Sequence, residues 1–236
     1  MCIAGRVVVA GLTIVCLAII FVGDAPAALL PITNSSFEDP SVGTGWQNNP
    51  AVTGWTKNPA SGSTHFMEYN GAVGSGGVGW DGTQHLGIGN YSSGSTEISF
   101  WQDTGVAWAA HTEYTMTVSI GNRGGGWSDD PAFFGLSTDS TRANIVGTEG
   151  SAWADNDQPE GSWAHYQYFT ETGAVAPTGT VHVLVGLIDA SGGNRALFDA
   201  VTVDAVTTVI PEPSTILIWS LLAGLGLIGW RRRRTK

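Results

Sequence analysis

Tyr114-Thr115-Met116-Thr117-Val118-Ser119-Ile120 is the stretch on which the fold turns. In an extended chain Tyr114, Met116, Val118 and Ile120 point to one side and Thr115, Thr117 and Ser119 to the other, the period of two that a half-buried antiparallel strand requires. One face is expected on a core and the other in water. Working outward, short alternating stretches predict further strands at 54–56, 65–69, 84–88, 97–102, 133–137, 163–170 and 196–206, with turn residues between nearly all of them. Residues 181–188 are apolar on both sides apart from His182 and Gly186, so this strand is expected at the centre of a sheet. About nine strands joined by glycine-rich connections, notably 71–82 and 121–126, predict an all-β domain of two packed antiparallel sheets, a β-sandwich. No internal repeat is visible, which argues against a propeller or a solenoid.

The chain has 236 residues, and the first and last two dozen do not read as globular core. Residues 28–209 are enough for one domain. The formal charge of −10 hides an asymmetry, because five of the ten basic residues are Arg231, Arg232, Arg233, Arg234 and Lys236. Between the ends, Lys57, Arg123, Arg142 and Arg195 stand against eighteen acids, a net charge near −14. Such a surface repels phosphates, so no nucleic-acid partner is expected; it suits divalent cations or a hydrated polysaccharide. The only cysteines, Cys2 and Cys16, lie in the N-terminal apolar segment. The middle therefore has no thiol for a disulfide, a thiolate zinc site or a cysteine nucleophile.

Arg6 precedes an uncharged apolar run from Val7 to Val22, followed by Gly23-Asp24-Ala25-Pro26-Ala27-Ala28. Charge, apolar stretch and small residues in that order predict a secretory signal peptide over 1–27, cut after Ala27; left uncut, the same segment would be an anchor. At the other end, Pro211-Glu212-Pro213-Ser214-Thr215 leads into an uncharged apolar run from Ile216 to Trp230 and then four arginines. With Ser214 and Thr215 the run has 17 residues, the lower limit of what crosses a hydrocarbon core of about 30 Å at about 1.5 Å per residue. A transmembrane helix is expected here. Arg231, Arg232, Arg233 and Arg234 would anchor its end in the cytoplasm and put the preceding domain outside. Pro211 and Pro213 keep the approach extended and accessible.

The order of Pro211-Glu212-Pro213, short apolar helix and arginine block resembles the PEP-CTERM sorting signal over 210–236. That resemblance implies a bacterium making extracellular polysaccharide and a membrane partner, exosortase, that recognises Pro211, Glu212 and Pro213. It implies export by the secretion machinery, transient anchoring in the inner membrane, then the cell surface or extracellular matrix.

A second resemblance concerns the middle. Ile32-Thr33-Asn34-Ser35-Ser36-Phe37-Glu38, followed by Gly54-Trp55, is similar to the opening strand of galactose-binding-like jelly rolls, a class that includes many carbohydrate-binding modules. Ala196-Leu197-Phe198-Asp199-Ala200-Val201-Thr202-Val203 is similar to their closing strand. The resemblance implies a jelly roll over 28–209 and, where its first and last strands meet, a structural calcium held by Glu38, Asp199 and backbone carbonyls. The other reading of these two acids is that they accept hydrogen bonds from nearby amides.

Eight tryptophans lie outside the tail. Aromatic faces stack on sugar rings, so Trp80, Trp127 and Trp153, expected on loops, could form a carbohydrate platform, or simply pack. Trp55, Trp101 and Trp163 are expected in the core. Enzyme signatures fail: Gly77-Val78-Gly79-Trp80-Asp81-Gly82 spells G-x-G-x-x-G without a strand feeding a helix, and the five histidines lack metal-ligand spacing. Glu68, Asp81, Glu97 or Glu113 could pair as glycosidase acids, but no motif joins them. The expectation is a non-catalytic, exported structural or carbohydrate-binding component of the polysaccharide matrix, with no certain cofactor. The alternatives are a polysaccharide-active enzyme on the same scaffold and a matrix protein without a defined ligand.

Overall fold

The computed structural model of the chain describes residues 27–58, 65–69, 81–89, 97–121, 131–153, 163–188, 195–208, 219–226 and 230. A compact unit runs from Ala27 to Val206. Its strands are β1 (Ala28–Leu29), β2 (Trp46–Asn48), β3 (Thr56–Asn58), β4 (His65–Tyr69), β5 (Gln84–Gly89), β6 (Ile98–Ala107), β7 (Thr112–Gly121), β8 (Pro131–Ser137), β9 (Gly150–Trp153), β10 (Trp163–Glu171), β11 (Thr180–Leu187) and β12 (Arg195–Thr207). They make a seven-stranded sheet, β10-β7-β12-β5-β4-β2 with β1 added on β12, and a five-stranded sheet, β3-β6-β11-β8-β9. The two-sheet sandwich expected from alternation is the observed architecture.

Alternation explains the core directly. Tyr114, Met116, Val118 and Ile120 of β7 are all buried against Leu86, Ile88, Phe198, Val201 and Val203 of the same sheet and Phe100, Phe134, Val183 and Val185 of the other. β11 is central, between β6 and β8, and buried on both faces over its second half. Gly186 is needed there, since an added Cβ would lie 2.4 Å from the Ile98 carbonyl oxygen and 2.5 Å from the Phe133 ring.

Three expectations change. Residues 32–38 form turns rather than an opening strand, and that strand is only Ala28–Leu29, extended by Leu30 N–H donating to Val203 O. The reason lies in Asn34, whose φ is +53° and whose side chain brackets the loop, donating to the carbonyls of Asp39 and Thr53 and accepting from Asp39 N–H. The strand expected at 54–56 starts at Thr56, because Gly54 closes a turn at φ +82°. Trp101 and Trp163 are half-buried on outward faces rather than core; Trp55 is core as expected, and Trp108, for which no expectation was drawn, is core too.

The connections order the sandwich along its long axis. β6 and β7 are joined by 108–111 and β10 and β11 by 172–179, and the two loops are stitched by His111 N–H to Gly173 O and Thr172 N–H to Thr112 O, both 3.0 Å. β11 runs antiparallel to β6 and so leaves this pole, and β12 follows it back. β12 therefore ends at the pole of those two loops, where Ala28 pairs with Ala205. Trp163 begins β10 and Gly121 ends β7, at the opposite pole.

The C-terminal segment is described as helix over 219–226 and at Trp230. Among the described residues no helix is long and apolar enough to cross a membrane. Pro211, Glu212, Pro213 and Arg231 to Arg234 lie outside the described residues, as does the expected signal peptide up to Pro26.

Candidate functional site

The outward face of the seven-stranded sheet is where polar chemistry collects. Met67 of β4 and Leu86 of β5 are cross-strand partners pointing into the core, so the next pair, Glu68 and His85, points the other way. Both are fully buried, with Glu68 Oε2 3.7 Å from His85 Nε2. Along the same face of β12, Arg195 and Leu197 pair with Gly89 and Gly87 and are also buried. Taking a carboxylate and an imidazole out of water costs stability that an apolar pair would not, so this placement asks for a chemical reason.

Trp163 joins this group through a missing side chain. It sits opposite Gly121, where a Cβ would lie 2.8 Å from the indole, so the ring lies across β7 instead of standing off the sheet. Its centroid is 5.4 Å from that of His85, edge to face at 70°. Beside it Ser119 Oγ lies 2.9 Å from His165 Nδ1. Ser119 is fully buried, whereas Thr115 and Thr117 are half-exposed, so the water-facing side expected for β7 holds only over its first part. His85 and Ser119 are residues that the expected set did not contain, and Glu68, weighed there only as a possible partner of another acid, meets a histidine instead. The available signal was glycine at the outward positions 87, 89 and 121, which marks close approach on that face.

Glu38 and Asp199 do come together, on the turn that precedes β5. Glu38 accepts from the N–H groups of Thr83 (2.8 Å) and Gln84 (3.0 Å) and from Thr83 Oγ1 (2.8 Å). Gly82 is at φ +76°, with the Glu38 carboxylate where its Cβ would be. Asp199 is fully buried and accepts from Asp81 N–H (2.9 Å) and Ala200 N–H (2.8 Å). Burial pushes its carboxyl up to about 7; those two N–H bonds oppose the rise, and the charges of Asp81 and Glu38 add to it. Among the described residues no three His, Cys, Asp or Glu side chains are placed to hold a metal. The donor set implied for calcium is two carboxylates completed by carbonyls, and the hard oxygens of Glu38 and Asp199, crowded by Asp81, fit it chemically.

The other candidates have separate neighbours. Glu97 and Glu149 both pair with Arg142, whose guanidinium also lies 4.9 Å from the Phe133 ring centroid. Glu113 is on the exposed side of β7 opposite Glu171 of β10. Trp153 ends β9, paired with Pro131, rather than standing on a loop; Trp80 and Trp127 lie outside the described residues.

Residues 28–204 match the family model described as HpiC1 cyclase, and residues 209–234 match the PEP-CTERM protein-sorting motif. The second match spans Pro211-Glu212-Pro213, the apolar run and Arg231 to Arg234, so the tail is an exosortase sorting signal, with the export and transient membrane anchoring that it entails. No curated protein matches the chain in sequence. Among solved structures, the Stig cyclase Fisc from Fischerella sp. TAU, in complex with (3Z)-3-(1-methyl-2-pyrrolidinylidene)-3H-indole, superposes with a TM-score of 0.65 at 18% identity, over 76% of this chain and 98% of that one. A cyclase from Fischerella sp. TAU in complex with 4-(1H-indol-3-yl)butan-2-one gives 0.63 at 18% identity, over 75% and 97%. An arabinose-bound α-L-arabinofuranosidase gives 0.52 at 15% identity, over 75% of this chain and 26% of that one. At these identities the likeness establishes the fold alone.

Proposed function

The chain belongs to the HpiC1-like cyclase family, and we propose that it is an exported surface or matrix protein whose sandwich binds a ring-bearing ligand, a saccharide of the extracellular polysaccharide, without turning it over. The observation that carries this reading is the half-buried Trp163 indole laid against His85 of the buried Glu68–His85 pair. A sugar ring offers its C–H faces to the half-buried indole, and the buried Glu68–His85 pair beneath it fixes where that indole lies. Trp80, Trp127 and Trp153 stay further candidates for stacking on the ligand, and calcium on Glu38 and Asp199 would hold the turn before β5. Titration calorimetry against oligosaccharides from the producing strain's matrix tests it. Trp163→Ala is expected to weaken binding about tenfold, or about 1.4 kcal/mol, with the fold retained. Equal affinity in the variant would sink the assignment of this face.

One observation favours a second reading, acid catalysis. The buried Asp199 carboxyl, pushed up to about 7, has a proton to donate near neutrality, and the two superposed cyclases hold indole compounds. Under this reading the protein converts an indole-bearing substrate, conversion is lost in Asp199→Asn, and saccharide binding is absent from both proteins.

A further inference from the structure

We propose that the pole at which β12 ends is a lipid-contacting surface, resting on the outer leaflet of the membrane while the sorting tail is attached. Two observations meet there. Residues 208–210 alone separate β12 from Pro211, about 10 Å of extended chain. The two loops stitched together at this pole, within 104–112 and 172–180, contain no Asp, Glu, Lys or Arg, on a domain whose charge is otherwise strongly negative.

Exposed aliphatic side chains are presented there. Val175 is 86% exposed, Leu29 of β1 70% and Val106 of β6 36%. Beneath them the rim is firm: Trp108 and Tyr114 are buried edge to face at 4.8 Å, Tyr114 Oη accepts from Ala109 N–H at 2.8 Å, and Trp108 Nε1–H donates to Thr180 O at 3.1 Å. Acids flank the two loops, at Asp103, which accepts from Gly105 N–H, at Glu113 and Glu171, and at Asp204, the cross-strand partner of Leu29. A bilayer whose anionic headgroups repel the rest of the sandwich can accept the tips of these two charge-free loops, and the exposed Val175 and Val106 give weak contact that is lost once the tail is processed. The inference rests on the tail being a sorting signal and is independent of any ligand.

The test uses the full chain with Cys2 and Cys16 changed to Ser, so that one introduced cysteine carries a fluorophore. It is reconstituted in phosphatidylethanolamine–phosphatidylglycerol vesicles containing spin-labelled lipid. Labels at Val175→Cys and Val106→Cys are expected to be quenched at least threefold more than one at Asn58→Cys, which lies at the far end of β3. Val175→Asp should halve the quenching at position 106. A label at Leu221→Cys reports the tail. If position 221 is quenched but 175 and 106 match 58, the lipid-contacting pole is overturned; if 221 is unquenched, anchoring itself fails. Protection of 175 that appears only when exosortase is added would assign the surface to the enzyme and overturn the proposal.

Discussion

At Gly121 a single hydrogen atom decides where an indole lies. Replacing it by Ala would put a methyl group 2.8 Å from the Trp163 ring, so Gly121→Ala is expected to lift Trp163 off His85. It should cost about 1–3 kcal/mol, the usual range for overpacking, and weaken ligand binding as much as Trp163→Ala. Thermal melts and intrinsic fluorescence check this, and an unchanged emission spectrum would contradict it. His65 makes a different prediction. Its Nε2–H donates to Pro50 O at 2.7 Å, and burial lowers its pKa to about 4, with the Pro50 bond opposing and the Lys57 charge assisting. In the unfolded chain it titrates near 6.5, so between about pH 6.5 and 4 the unfolded state binds the extra proton. The stability linked to His65 is complete above 6.5 and is lost as pH falls toward 4. His65→Gln keeps a donor for Pro50 and removes the titration, so its melting temperature relative to the parent should rise steadily from pH 7 to 4.5. A constant difference would refute the assignment. Neither residue announces itself in sequence: His65 reads as one more strand position, and Gly121 as the start of a glycine-rich loop.

Elements were legible where periodicity was long. β7 and β11 follow from alternation and from a doubly apolar run, since each buries enough side chains for its pattern to stand clear of chance. β1, β2 and β9 were not, because two to four residues at a sheet edge carry no period. The segment 32–38 was placed correctly beside β12, through Val201 N–H donating to Ser35 O, yet misread as a strand, because Asn34 and Phe37 take φ near +53° and local side-chain bonds replace the ladder. The meeting of Glu38 with Asp199 was legible as a motif. The amides that hold them were not, since Thr83 and Gln84 are some 45 positions away from Glu38. This turn carries a prediction with a sign. Asp199 titrates near 7 when folded and near 3.9 when unfolded, so without calcium its contribution to stability falls as pH rises from about 4 to 7. Millimolar calcium should hold both carboxylates ionised, raise the melting temperature most at pH 7 and remove that decline. Asp199→Asn should remove the decline and the calcium response together. A melting temperature indifferent to calcium at pH 7 would leave Glu38 and Asp199 as amide acceptors only.

For the molecule as a whole, direction matters more than any single contact. β12 ends at one pole, while Trp163 and Gly121 lie at the other, so the candidate ligand face is at the pole away from the end of β12. Charge is divided along the chain: nearly all the acids lie in the sandwich and half of all the bases in the last six positions. Arginines held on the cytoplasmic side are expected to leave the acidic domain outside. Processing at the motif should then be needed to free the domain from the membrane. In cells lacking exosortase, and in exosortase-positive cells carrying Pro211→Ala with Pro213→Ala, the domain is expected in the membrane fraction at the mass of the tailed form. In the parent strain it should appear at lower mass in the surface or matrix fraction. The proline pair removes the extended approach without altering the apolar run or the arginines, so retention in that variant separates recognition from anchoring. Changing Arg231, Arg232, Arg233 and Arg234 together to Ala should instead yield mixed topology, read as partial protease protection of the domain in spheroplasts. Equal delivery to the matrix with and without exosortase would show that this tail does not act as a sorting signal here.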